Sequence, residues 1–77
     1  MAKPVNGTYV FHVGGPPAFD VHYTIDDAGV HTTFGVLVWS AEDDMYRLGS
    51  IALRFVDSTH FVGLNGNNGY GGTYATE

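Results

Sequence analysis

The chain has no cysteine and only three basic residues, Lys3, Arg47 and Arg54. Without cysteine, no disulfide can supplement a small core, and no thiolate metal site can form. Three cations against eight acidic residues leave a formal net charge of −5. A surface that tracks a phosphate backbone needs clustered Lys and Arg, so nucleic acid is not an expected partner. The acids are also too few and too dispersed for mimicry of nucleic acid. No apolar run approaches the length of a transmembrane helix. No signal-peptide core follows the start Met-Ala-Lys-Pro-Val-Asn. The expectation is a protein of the cytoplasm with no membrane partner.

Catalytic signatures are equally sparse. Ser40, Ser50 and Ser58 lie in no nucleophile-elbow setting, since Gly-Xaa-Ser-Xaa-Gly does not occur. The glycine-rich residues 63 to 72 lack the lysine and the helix start that a phosphate loop needs, and read as a hairpin turn. No cofactor is expected.

What is present suffices for one β domain over residues 1–77. The 77 residues are 44% hydrophobic and 14% charged, a globular composition near the lower size limit for independent folding. A chain this small without covalent staples often gains stability by association, so a homo-oligomer is expected.

Side chains alternate along a strand, and opposed residues on paired strands point the same way. In residues 7 to 13, Tyr9, Phe11 and Val13 share one face, with Thr8, Val10 and His12 on the other. Gly14-Gly15-Pro16-Pro17-Ala18 is loop chemistry. Closing it with Val13 opposite Phe19 sets Phe11 against Val21 and Tyr9 against Tyr23, and places His12 opposite Asp20. The turn Asp26-Asp27-Ala28-Gly29 then pairs Ile25 with Val30, and a third strand is read through to Trp39. In that register Tyr23 faces Thr32, Val21 faces Phe34 and Phe19 faces Val36.

Trp39 is expected opposite Tyr46 across an acidic connection, and a fourth strand is read from Tyr46 to Val56. Its register puts Phe34 against Ile51, Thr32 against Leu53 and Val30 against Phe55. It strands Leu37, Trp39, Tyr46 and Leu48 on the polar face, where a bulge is expected. Asp57-Ser58 turns into residues 59 to 65, with Leu53 opposite Val62, Ile51 opposite Leu64, and Arg54 beside Phe61 as a cation–π neighbour. His60 then falls beside Phe55 on the apolar side. Gly66-Asn67-Asn68-Gly69 is the strongest turn signal, and residues 70 to 76 form the last strand. The fold expected is an all-β, six-stranded antiparallel up-and-down meander, rolled into a small barrel or packed as a sheet in a homo-oligomer.

Gly7-Thr8-Tyr9, with a related Gly71-Gly72-Thr73-Tyr74 near the other end, resembles small up-and-down barrels such as the calycins. The likeness covers a few residues at each end and carries over no functional residue.

Two residue sets could carry function. The polar face gathers His12, Asp20, His22 and His31, where an imidazole beside a carboxylate has a fixed tautomer and can serve in acid–base catalysis. Two or three histidines with an aspartate could also hold a divalent metal, although no metal ligand is assigned. Trp39, Tyr46, Phe61, Tyr70 and Tyr74 fall outside the inferred core face and, with Arg54, suit a flat ligand or a protein interface. The reading favoured is a small β-barrel binding module for a small molecule or a protein partner. The alternatives are an acid–base enzyme using the His/Asp set, and an inhibitor or structural subunit acting by contact alone.

Overall fold

Alternation builds the first hairpin as expected. The structure, a computed structural model, describes residues 3–77; Met1 and Ala2, the start of the 1–77 domain and of the stretch read for a signal core, lie outside the described residues. In it β1 (Gly7–Val13) pairs with β2 (Phe19–Asp26) through Val13–Phe19, Phe11–Val21, Tyr9–Tyr23 and His12–Asp20. The described residues continue as β3 (Gly29–Thr32), β4 (Gly35–Ser40), β5 (Met45–Leu48), β6 (Ile51–Phe55), β7 (His60–Asn65) and β8 (Asn68–Thr76). Each strand pairs antiparallel with the next, and β8 pairs back onto β1 to close a barrel within one chain. The sheet therefore has no open edge, and its apolar face needs no second subunit to cover it.

The strand count among the described residues is eight rather than six, because two long strands each divide. The run from Val30 to Trp39 reverses at Thr33–Phe34. Thr32 makes the turn: its hydroxyl accepts from the Phe34 N–H (3.1 Å) and donates to the Gly35 carbonyl (2.8 Å). Val30 thus faces Leu37, not Phe55, and Phe34 sits at a turn tip rather than opposite Val21 or Ile51. The run from Tyr46 to Val56 reverses at Gly49–Ser50, where Gly49 has φ of 60°. The expected bulge is in fact this pair of turns. Each shifts the alternation by one residue, which carries Leu37, Trp39 and Tyr46 to the inside.

The β6–β7 register differs from expectation by a single residue. Leu53 faces Gly63 and Phe55 faces Phe61, so Phe61 is buried while Val62 and Leu64 stand outside, each 44% exposed. A one-residue slip exchanges the two faces of a strand, and these two valine and leucine positions show the result. His60 likewise lies exposed on the outer side, bonded to Asp57.

The interior is aromatic. Phe11, 1% exposed, has Phe61 edge-on at 5.1 Å, Tyr23 at 5.4 Å, Tyr74 stacked at 5.8 Å and Phe55 at 5.9 Å. Burying a side chain of this size contributes about 1.5–3 kcal/mol, and each well-placed ring pair adds roughly 0.5–1.5 kcal/mol. One end of the barrel is sealed. There the Tyr9 hydroxyl donates to the Val5 carbonyl (2.6 Å), the Tyr74 hydroxyl donates to the Asp57 carbonyl (2.8 Å), and Lys3 Nζ lies 5.6 Å from the Trp39 ring centre.

The turn between β6 and β7 at this sealed end is organised by one carboxylate. Asp57 Oδ1 accepts from the Thr59 N–H (2.8 Å), the His60 N–H (2.8 Å), the Thr59 hydroxyl (3.1 Å) and His60 Nδ1 (3.0 Å). The Thr59 backbone N–H first, and the His60 side chain second, lower its pKa from 3.8 to about 2. The folded value lies below the ordinary one. The carboxylate therefore contributes stability above about pH 4, and loses it as pH falls through the folded value. Asp57→Asn is expected to lower the urea midpoint at pH 7 and to shrink the difference between midpoints at pH 7 and pH 2. A difference as large as in the parent chain would show that this turn has no part in acid sensitivity.

Candidate ligand-binding site

The end opposite the seal is open. Its rim is formed by the β1–β2 loop with Gly14, Pro16 and Pro17, the β3–β4 turn with Thr33 and Phe34, and the start of β8 with Asn68 and Gly69. Inside lies a cavity of about 410 Å³, in the size range that accepts small molecules. An eight-stranded barrel is just wide enough either to fill with side chains or to hold one small ligand. Here the aromatic layer fills the sealed half, and the open half keeps space.

Phe11 and Phe61 line the deep part of the cavity, with Val13, Val21 and Leu53 also on its wall. Phe19 and Phe34 stand at the rim, 53% and 55% exposed. Tyr70 owes its position to a glycine across the strand pair. It faces Gly63, and a Cβ on residue 63 would come within 2.4 Å of the Tyr70 ring, so the bare backbone gives the ring its seat. Tyr23 lines the cavity from β2.

Among the described residues the cavity is lined by no charged side chain; its polar side chains are Tyr23, Thr33, Asn65, Asn68 and Tyr70. Burial raises the pKa of the Tyr23 hydroxyl. Burial first, and the neighbouring Tyr23 second, raise that of Tyr70. Both hydroxyls accordingly stay protonated and able to donate near neutral pH.

Of the six residues expected to bind ligand, the structure brings two to this cavity, Phe61 and Tyr70. The expectation that the aromatics lie outside the core is corrected for Tyr46, Phe61 and Tyr74, which are 2%, 2% and 6% exposed. The two missed turns and the slipped register moved them inward. Trp39 is half-buried at the sealed end, 5.1 Å from Tyr46 in an edge-on contact. Arg54 is outside and makes no pair with Phe61, because their side chains take opposite faces. Its guanidinium instead ties down the β4–β5 turn, donating to the carbonyls of Asp43 (2.8 Å) and Asp44 (3.3 Å).

The His/Asp set lies on the outer surface of β1, β2 and β3. His12 Nδ1 donates to Asp20 (2.7 Å), as the register implied. His22 pairs with Glu77, and His31 Nε2 donates to Asp26 (2.7 Å). That bond from His31 is the main reason the Asp26 carboxyl titrates below its usual range. Each histidine thus has its own carboxylate, and the set does not converge on one point. Among the described residues, no group of three or more His, Cys, Asp or Glu side chains is placed to hold a metal ion.

Sequence reasoning did not single out the rim. Phe34 carried a usable signal: the apolar alternation is even-numbered at Val30 and odd-numbered at Leu37 and Trp39, and either a bulge or a turn tip must fall between. Asn68 belongs to the Gly66–Gly69 turn signal and Asn65 directly precedes it, but nothing in the sequence indicates that this turn borders a cavity. No family model, no curated protein and no solved structure matches the chain.

Proposed function

We propose that this chain is a small-molecule binding module whose ligand enters the open end of the barrel. The observation that carries the reading is the uncharged, largely apolar cavity of about 410 Å³ beneath a rim bearing the exposed Phe19 and Phe34. Apolar walls supply affinity by removing ligand surface from water, and a few polar groups fix orientation. The acid–base alternative has less support. The histidine–carboxylate pairs are exposed on the outer face of the barrel, open to water rather than enclosed around a substrate. Contact with another protein or a second copy draws its support from the outer face of β7, where Val62 and Leu64 are exposed side by side.

A fluorescence titration with the neutral dye N-phenyl-1-naphthylamine tests the cavity. One saturable site is expected. In a ¹H–¹⁵N NMR titration the shifts should cluster at Gly14, Val21, Phe34 and Gly69 and spare Val5 and Glu77. Phe34→Ser, which removes a rim ring from an exposed turn, should weaken the dye several-fold without lowering the melting temperature. Absence of saturation, or shifts centred on the sealed end or the outer face, would overturn the reading.

A further inference from the structure

On the reading of the open end as a binding site, we propose that its ligand is a neutral molecule with an aromatic or apolar body and an oxygen that accepts hydrogen bonds from the Tyr23 and Tyr70 hydroxyls. Five tyrosines occur in the chain. Two of them seal the far end, with the Tyr9 and Tyr74 hydroxyls each bonded to a carbonyl. Tyr23 and Tyr70 differ: both line the cavity, and neither hydroxyl has a hydrogen-bond partner among the described residues. Both rings belong to the wall of the same cavity, Tyr23 from β2 and Tyr70 from β8. Two donors on the wall of one half-buried, apolar cavity leave hydrogen-bonding capacity that a ligand oxygen can meet.

The same surroundings argue against a charged ligand. Among the described residues no Lys, Arg, His, Asp or Glu lines the cavity, so an ion entering it would shed water without gaining a counter-charge. The nearest ionisable pairs described above lie on the outside of the barrel wall. A hydrocarbon without oxygen would fill the space but leave both hydroxyls unpaired, and such a site discriminates against the analogue lacking the polar group. A ketone, ester or ether on a ring system meets each condition.

Three ligands of nearly equal shape separate these terms: 2-acetylnaphthalene, 2-ethylnaphthalene and 2-naphthoate, each competing with N-phenyl-1-naphthylamine. The ketone should displace the dye at about tenfold lower concentration than the hydrocarbon, the scale set by one or two hydrogen bonds. Naphthoate should displace it least. In Tyr23→Phe/Tyr70→Phe, which keeps both rings and their packing, the advantage of the ketone should vanish while the hydrocarbon binds as before. Equal binding of ketone and hydrocarbon to the parent chain, or preference for naphthoate, would overturn the inference and leave the cavity reading standing. An equal loss of ketone and hydrocarbon in the double variant would also overturn it, by showing that the change acts on the cavity shape. Failure of the dye itself to bind at the open end would remove both.

Discussion

Gly29→Ala is expected to cost on the order of 3 kcal/mol or more, among the largest losses any single substitution in this chain can cause. Gly29 ends the β2–β3 turn with φ of 134°, a region that L side chains rarely adopt. An added Cβ would also lie 2.0 Å from the Leu37 carbonyl oxygen. That oxygen belongs to backbone held in the β3–β4 ladder, so it cannot swing away as a side-chain tip could. A domain of this length has a total stability of roughly 4–12 kcal/mol. The melting temperature should therefore fall by about 15 °C or more. Gly66→Ala is the matched comparison: φ is 64°, but nothing lies within 4 Å of the added carbon, and only the backbone cost of about 1 kcal/mol applies. Equal losses in the two variants would show that the approach of Leu37 is not what requires glycine at position 29.

Phe11→Ala should rival it, at about 3–5 kcal/mol in urea denaturation. The ring meets neighbours from β2, β6, β7 and β8, so its removal leaves a void bordered by strands that cannot all collapse into it. Phe11→Leu keeps most of the volume and should cost less than about 1.5 kcal/mol. A loss below about 1 kcal/mol for the alanine variant would mean that the aromatic layer repacks freely, contrary to its role as the floor of the cavity.

The all-β antiparallel barrel was legible because alternation is strong where strands are unambiguous. The β1–β2 pairing, including His12 with Asp20, and the facing of Trp39 and Tyr46 follow from residue parity and loop composition alone. Parity also contained the missing turns. Tyr46 and Leu48 are even where Ile51, Leu53 and Phe55 are odd, and a two-residue turn at Gly49–Ser50 is the simplest way to bring both sets to one side. Composition hid the other break, since His-Thr-Thr-Phe has none of the glycine, proline or asparagine that usually marks a turn before Gly35. At β6–β7 the pattern itself misleads. Val62 and Leu64 look like core, and Phe61 with Gly63 supplies the core instead because the length of the turn, not hydrophobicity, sets the register. The cavity was less legible still. It depends on which loops share an end of the barrel and on which inner positions stay empty, and both are consequences of closure that local patterns do not encode.

Closure of the barrel through β1 and β8 also sets the order in which the chain can become safe from its neighbours. The pairs Tyr9–Thr76 and Val13–Gly72 join opposite ends of the sequence, so their loop-closure entropy is met only after almost everything else has been made. On a ribosome, the nascent sheet emerges with β1 already present and its partner still inside the exit tunnel. Until Tyr74 arrives, two unpaired edges flank a sheet rich in Phe, Tyr and Val, the form most open to intermolecular strand addition. The last nine-residue strand therefore acts as a fastener as well as a wall, and synthesis that stalls just before it should favour aggregates over soluble intermediates.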